Sequence, residues 1–458
     1  MKKNILFLIA ILSSLGMQGQ EITGQWNGIL KVSGLQLTVV FHINKNENGF
    51  TSTMDSPDQG AKGIPVTTTS FENAILKLEI KNAGIAYEGI LNKENIIVGN
   101  FKQGGQSFPL DMSKEAIQKT ALIRPQEPQK PFQYYTEEVT FENKKDNVIL
   151  AGTLSLPQKE GNFPVVILIS GSGKQNRDEE ILGHKPFLVL ADYLTKNGIA
   201  VLRFDDRGAG KSTGDFSKAT TADFAKDVQS GVDYLKTRKE INKSKIGLIG
   251  HSEGGIINAI VAADSKDINY IVSLAGPGIR GDKLLLLQKE LIERQMGISE
   301  TEIQKGQEIY GGAYKIILNS TVYDDNLKTQ MNSYFKTKLG DSITDDQLNV
   351  LTATITNPWM YYFFKLDPSS VFKKVKCPVL ALNGAKDLQV PAEVNLEAIK
   401  KAVTSGGNKK ITIKILPDFN HLFQECKTGS PEEYASIEQT FSPTALQEIS
   451  NWVLLQVK

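Results

Sequence analysis

The sequence predicts a small all-β domain followed by a larger α/β domain that carries a helical insertion. Three observations lead there. Hydrophobic residues have period two from Ile22 to about Met112, and beyond residue 137 apolar strands alternate with helices. That alternation then stops for about ninety residues after Gly276-Pro277-Gly278. The length of 458 residues suits two or three domains. With 40% hydrophobic, 22% charged and 8% aromatic residues, the chain is an ordinary globular one, which excludes disordered, collagen-like and polytopic membrane classes. Lys and Arg number 52 against 51 Asp and Glu, so bulk charge gives no case for nucleic acid or an anionic membrane as partner.

The predicted boundaries are a leader at 1–20, a β-barrel-like domain at 21–115, a Pro-rich linker at 116–136 and the α/β domain at 137–458, with its insertion at about 280–370. Lys2 and Lys3 precede the apolar run Ile5 to Leu12, and small and polar residues follow to Gln20, the pattern of a cleaved secretory signal. The run is shorter than the ~20 residues a membrane span needs. The expectation is an exported protein, periplasmic or secreted, with no stable membrane insertion after cleavage. Removing two of the 52 basic residues leaves 50 against 51 acidic.

In the β-domain, Leu35, Leu37, Val39, Phe41 and Ile43 alternate with Gln36, Thr38, Val40, His42 and Asn44. Leu76, Leu78 and Ile80 do the same with Lys77, Glu79 and Lys81. Asn48-Gly49, Asp58-Gln59-Gly60 and Gly104-Gly105 supply turns, so the prediction is a small barrel or sandwich. Gly24-Gln25-Trp26 has the look of a lipocalin opening. Arg124 to Pro131 is polar and Pro-rich, hence extended and stiff.

Strands are then expected at Val148–Leu156, Pro164–Ile169, Ile199–Phe204, Lys245–Ile249, Tyr270–Leu274, Pro378–Leu382 and Ile411–Ile415. Helices fall between them, one stopped by Asn197-Gly198, and a closing helix spans Thr444 to Val457. This alternation means a mostly parallel sheet with helices on both faces. The insertion reads as helices at Leu284–Gly297, Thr301–Ile317, Asp325–Leu339 and Thr344–Ile355. It must sit over one edge of the sheet, and ligands bind at the carboxyl ends of the strands in such folds.

Gly250-His251-Ser252-Glu253-Gly254 is a G-x-S-x-G between an apolar strand and a helix, with Gly255 adding a third glycine. A nucleophilic serine must occupy a sharp turn there, and small residues two before and two after it prevent clashes. A serine hydroxyl needs a base, and the chain has four histidines. His42 is on the polar face of a β-domain strand, His251 adjoins the serine and points away, and His184 precedes the nucleophile. His421, just after the last sheet strand, is the expected general base. Asp387, the only acid in Asn383-Gly384-Ala385-Lys386-Asp387, is expected to orient it, giving the chain order Ser252, Asp387, His421. Asp418 reads as a turn former, and Asp282 is the alternative acid. The oxyanion donors are expected to be the backbone N–H of Glu253 and one from Ser170-Gly171-Ser172-Gly173, assigned to Ser172 by position.

Two other features give nothing further. Gly208-Ala209-Gly210-Lys211-Ser212-Thr213 resembles a phosphate loop, but the pattern needs glycine where Asp205 stands. Asp205-Asp206-Arg207-Gly208 therefore reads as a structural loop near the site. No Cys/His cluster has the spacing of a zinc site, and no metal is expected. Cys377 and Cys426 could be a disulfide bracketing the Asp387 and His421 loops, or two thiols.

From about residue 136 onward the chain resembles the α/β-hydrolase superfamily, and more narrowly EstD-type bacterial carboxylesterases with an N-terminal β-domain and a helical cap. The matching pieces are Ser170 to Gly173 with Asn176-Arg177-Asp178-Glu179, Phe204 to Ser212, Gly250 to Gly255, Asn357 to Phe364 with Asp367-Pro368, Asn383 to Asp387, and His421. Lys174 and Asn176 depart from the proline and aspartate more common in such enzymes, on the loop shaping the acyl side. The resemblance implies a serine hydrolase cleaving short acyl esters, small-molecule substrates, with no cofactor. The alternative is a peptidase or aminopeptidase of the same fold. A third class, a binding protein with a hydrolase scaffold, conflicts with the intact Ser252, Asp387, His421 set. The aromatic run Trp359 to Phe364 either lines the substrate cavity or anchors the cap. The ester, the oligomeric state and the role of the β-domain are not set by the sequence.

Overall fold

A computed structural model describes residues 21–32, 35–103, 106–116 and 124–458. The leader at 1–20, the turn Gly104-Gly105 and linker residues 117–123 lie outside the described residues. The chain divides into two compact units, Met1–Ala121 and Leu122–Lys458.

The first unit is one ten-stranded antiparallel sheet running from Gly24–Val32 to Met112–Ser113. Alternation decides its faces. Leu76, Leu78 and Ile80 are buried with Trp26, Phe41 and Ile97 in a single core, while Lys77 and Glu79 face water. Its sandwich alternative falls away because all the strands share one sheet. The ladder path ends at Ala61–Pro65 and Thr68–Glu72, which are neighbours in sequence. Val66 and Thr67 join them and donate to Ser52 and Glu79 carbonyls at 3.0 and 2.7 Å, so the sheet curls back on itself. The indole of Trp26 donates to Ile22 O at 2.7 Å inside this core, satisfying the one polar atom of a fully buried ring.

The second unit carries the α/β sheet, and its elements are numbered here from its own first strand. β1 (Tyr135–Asn143), β2 (Val148–Leu156), β3 (Phe163–Ile169), β4 (Ala200–Phe204), β5 (Ile241–His251), β6 (Ile268–Leu274), β7 (Val379–Gly384) and β8 (Ile411–Leu416) lie in the order β1-β2-β4-β3-β5-β6-β7-β8. β2 is antiparallel to β1 and β4, and from β4 to β8 the pairing is parallel. β1 is an addition to the predicted set. Its first residues, Tyr135 and Thr136, fall inside the segment expected to be linker, and Val139 and Phe141 face inward between exposed Thr140 and Glu142.

Why β3 reads as an unbroken apolar run follows from its position. Val165, Ile167 and Ile169 enter the core on one face of the sheet, and Val166 and Leu168 enter the core on the other. Period two with both faces covered needs an apolar residue at every step. Each such burial stabilises by about 1.5–3 kcal/mol. One face is covered by α2 (Thr221–Thr237), α3 (Gly254–Asp264) and α10 (Ala392–Ser405), and the other by α1 (Pro186–Lys196) and α11 (Pro443–Gln456). Local signals set the helix ends. Thr220 and Asp223 form a capping box at α2, and Gly198 takes φ +87° just beyond α1.

Between β6 and β7 lie α4 (Gly281–Gln295), α5 (Glu300–Asn319), α6 (Asp325–Leu339), α7 (Asp345–Ile355) and α8 (Pro358–Lys365), followed by the short α9 (Pro368–Phe372). Asp324, Thr344 and Asn357 cap α6, α7 and α8 with side-chain oxygens. These helices build a core of their own around Ile317, Met331, Phe335 and Phe364. Among the described residues, no helix is long and apolar enough to cross a membrane.

The Pro-rich segment is tied to the second unit. Arg124 donates to the carbonyls of Gly183, Ile437, Leu182 and Ala435 at 3.2, 2.9, 3.4 and 2.8 Å. Gln126 accepts from the Thr440 N–H at 2.6 Å and donates to Phe441 O at 2.7 Å. An Arg124→Ala substitution leaves partly buried carbonyls unpaired, and denaturant unfolding is expected to show a loss of about 1–3 kcal/mol.

Candidate active site

Ser252 occupies the turn between β5 and α3 with φ +51°. That left-handed region costs a non-glycine residue roughly 1–2 kcal/mol. The flanking glycines make the turn possible because three backbones meet there. A Cβ on Gly250 would stand 1.9 Å from Gly254 O, and one on Gly254 would stand 2.2 Å from Ile169 O on β3. Two hydrogen bonds hold the strained residue, Ser252 N–H to Leu274 O and Gly255 N–H to Ser252 O, each 2.8 Å. The outcome is a serine raised at the carboxyl end of the sheet.

Asp387 follows β7 and His421 follows β8, so both reach the same end of the parallel sheet. His421 Nδ1 lies 2.8 Å from Asp387 Oδ2, and both residues are buried. The other Asp387 oxygen accepts from the N–H groups of Gln389 and Val390 at 2.8 and 2.9 Å. An acceptor-only carboxylate keeps the ring proton on Nδ1 and leaves Nε2 free to take one. The alternative acid, Asp282, is engaged elsewhere, with Arg280 at 2.5 Å, and Asp418, in a turn with φ +63°, pairs with Lys386 at 2.7 Å. Among the described residues the Ser252 hydroxyl makes no hydrogen bond to His421, a contact that in such sites tightens when substrate binds.

The loop Ser170-Gly171-Ser172-Gly173, from which an oxyanion donor is expected, leaves the end of β3. Among the described residues, neither the Ser172 N–H nor the Glu253 N–H donates to a protein acceptor. The Gly171 N–H, by contrast, is taken by Glu179 Oε1 at 2.7 Å. A Cβ on Gly171 would stand 3.0 Å from Ser252 Cβ, so the loop is pressed against the nucleophile turn.

The Asp205-Asp206-Arg207 stretch, read as a structural loop near the site, is what carries this loop. Asp206 accepts from the Ser170 hydroxyl and the Gln175 N–H, both at 2.9 Å. Asp205 pairs with Arg177, accepting from its guanidinium at 3.1 and 2.9 Å and from its N–H at 2.9 Å. Arg207 turns the other way, onto Asp227 and Asp146 at 2.7 and 2.9 Å.

Several buried groups here have shifted protonation. Burial pushes the Glu253 carboxyl up to about 7, against the pull of hydrogen bonds from the Thr221 hydroxyl and the Trp359 indole. Those bonds are 2.7 and 2.8 Å, and they tie the nucleophile turn to α2 and to α8 of the insertion. Of the two roles expected for the aromatic run, Trp359 thus takes the anchoring one. Asp206 is pushed up to about 8 by burial, with Glu253 and Glu179 adding repulsion.

The remaining histidines fall as follows. His42 pairs with Asp55 at 3.0 Å in the first unit. His184 is fully buried, bonded to Thr440 and Tyr434 O at 3.0 Å, and burial lowers it to about 4. His251 is buried against Glu179 and the His421 carbonyl, a position that sequence order alone does not reveal. Glu179 and Asp206 were also beyond reach of spacing rules, although both stand in stretches that carry the family resemblance. Cys377 and Cys426 are free thiols, pushed up to about 12 and about 11 chiefly by burial. Among the described residues, no group of three or more His, Cys, Asp or Glu could hold a metal ion.

A sheet in this order with an uplifted serine, and a His–Asp pair after its last two strands, defines an α/β hydrolase. Residues 185–425 match the family described as "Serine aminopeptidase, S33", and the chain belongs to that family. It is 27% identical to esterase EstD of Thermotoga maritima over 325 residues, 70% of this chain and 69% of that protein. An uncharacterized 31.7 kDa protein of Escherichia coli is 26% identical over 267 residues, 56% of this chain and 84% of its own length. Among solved structures, an esterase of Pyrococcus furiosus aligns at a TM-score of 0.42 and 18% identity, covering 70% of this chain and 93% of that one.

Two predictions follow from the geometry. Gly250→Ala drives a methyl into the Gly254 carbonyl, and a hydrolysis assay should show activity reduced at least ~100-fold. Glu253 has its folded value raised from 4.5 to about 7, so the folded state holds an extra proton between those values and stability falls as pH rises through them. Glu253→Gln keeps an acceptor oxygen for Thr221 and Trp359 without the charge. Denaturant melts should show it gaining on the wild type from pH 5 to pH 8 by on the order of 2–3 kcal/mol.

Proposed function

We propose that this protein is an exported serine esterase acting on short acyl esters through Ser252, His421 and Asp387. The observation that carries the reading is the buried His421–Asp387 hydrogen bond of 2.8 Å at the sheet end where Ser252 is raised in a left-handed turn. The name of the relative EstD, an esterase, supports the choice of ester as substrate.

In this mechanism Ser252 Oγ attacks the ester carbonyl while His421 Nε2 takes its proton. Asp387 holds the ring and stabilises the imidazolium. The carbonyl oxygen becomes an oxyanion, and the N–H groups of Glu253 and Ser172 stabilise it. His421 then returns the proton to the departing alkoxide, leaving an acyl-serine. Water, deprotonated by the same histidine, attacks that acyl group; the bond to Ser252 breaks, His421 returns the proton to Oγ, and the acid is released. Nothing in the sequence calls for a cofactor.

The helices from α4 to α8 serve as the cap over the carboxyl ends of the strands, anchored by the Trp359–Glu253 bond. Export rests on the leader pattern at 1–20 and is checked by mass spectrometry of the N-terminus of protein recovered from the periplasm or medium. A full-length N-terminus there, or retention in the cytoplasm, would contradict it.

The esterase reading is tested by turnover of p-nitrophenyl acetate and butyrate beside alanine and proline anilides. The esters are expected to be cleaved with the higher kcat/KM. Faster turnover of any anilide would overturn the reading in favour of a peptidase.

A further inference from the structure

His251 stands one residue before the nucleophile and takes no part in the mechanism above, yet it is fully enclosed and bonded at both ring nitrogens. Its Nδ1 is 2.9 Å from Glu179 Oε1, and its Nε2 is 2.9 Å from the carbonyl oxygen of His421. A backbone carbonyl can only accept, and an ionised carboxylate can only accept. With Glu179 in its carboxylate form, both ring nitrogens donate, which a neutral imidazole cannot do.

We propose that His251 is a doubly protonated positioning residue that braces the oxyanion loop against the backbone of the general base. The proposal rests on the triad reading given above. Glu179 Oε1 accepts from Gly171 N–H as well as from the His251 ring. One connected path thus runs from the loop bearing Ser172, through Glu179 and His251, to His421 and on to Asp387. Gly171, at the loop end of that path, is pressed against Ser252. Removing the second proton from His251 breaks one of its two bonds, so the loop and the base lose their common support.

The charges facing the ring are consistent with this state. Glu179 approaches from the segment between β3 and α1. Asp387 and His421 approach from the loops after β7 and β8, with the His421 ring centroid 4.8 Å away. Phe423 presents an apolar edge at 6.4 Å. Asp206, on the loop after β4, and Glu179 repel each other. Burial works against the second proton on His251, but the charge and hydrogen bond of Glu179, the His421 carbonyl and Asp387 together raise it above the ordinary histidine value.

Two measurements on the full chain test the proposal. Nitrogen-15 spectra of the histidine rings in the unsubstituted protein, titrated upward from pH 7, are expected to show both His251 nitrogens protonated at neutral pH. A neutral His251 ring at pH 7 would overturn the proposal without relying on any variant folding. Glu179→Gln keeps an acceptor for Gly171 and removes the charge, and His251→Gln removes the ring. Both are expected to lower kcat by on the order of 10- to 100-fold with KM within about threefold, because the chemistry is mispositioned rather than binding lost. In Glu179→Gln the loss of the second His251 proton is also expected at lower pH, by at least about one unit. Variants with wild-type kcat, or a Glu179→Gln protein in which His251 titrates as in the wild type, would contradict the brace. A Ser252→Ala control separates the two readings. If it keeps hydrolytic activity, the triad reading fails. If it is inactive while both brace variants are fully active, only this proposal fails.

Discussion

The site depends on one backbone contact, the meeting of β5, α3 and β3 around Gly250, Ser252 and Gly254. There the strand has to reverse into a helix within a space that admits no side chain on either glycine. The price is a serine held in the left-handed region, and the return is a hydroxyl standing clear of the sheet with the amide of Glu253 turned beside it. Everything else in the second unit can be described by what it does for that turn. The parallel sheet supplies the rigid strands that carry the strain, and the loops after β7 and β8 bring Asp387 and His421 to the same rim. A turn of this kind stores strain only because the cores on both faces of β3 and β5 overdetermine it.

Around the turn lies an unusual concentration of buried acid. Glu253, Asp206 and Glu179 are all enclosed, and each is answered by a different device. Glu253 is held by a hydroxyl and an indole, Asp206 by a hydroxyl and an amide, and Glu179 by an amide and an imidazole. Burial disfavours the charged form in the first two, so each carries less charge near neutrality than an exposed carboxylate would. Glu179 is the one set opposite a cationic partner. The arrangement places polar groups tightly around Ser252 while burial limits the negative charge beside it.

Much of this was legible in the sequence because it is written in local rules. Period two and apolar runs located seven strands of the sheet, and four helices of the insertion were placed to within a few residues. The glycines around Ser252, and the order of serine, aspartate and histidine, pointed to the site because the fold permits that order alone. β1 was missed since Val139 and Phe141 alternate with polar residues next to a Pro-rich stretch that masks the start of the strand. The brace of Glu179 and His251 was missed for a different reason. The pair is 72 residues apart in the chain, and only the folded sheet brings the two together. His251 was set aside because its neighbour in sequence is Ser252, the proposed nucleophile, whereas its partner in space is the backbone of His421, the proposed base. The Asp205-Asp206 loop was read as structural, and its two carboxylates turn out to fasten the oxyanion loop by name, through Ser170, Gln175 and Arg177.

The central claim is that Ser252 is the residue that becomes acylated. Labelling the full-length protein with a fluorophosphonate and mapping the adduct by peptide mass spectrometry tests it most directly. The account predicts one phosphonyl group per chain, on Ser252, appearing in step with loss of hydrolytic activity. Inactivation with the adduct on any other residue, or stoichiometric labelling of Ser252 that leaves hydrolysis intact, would contradict it.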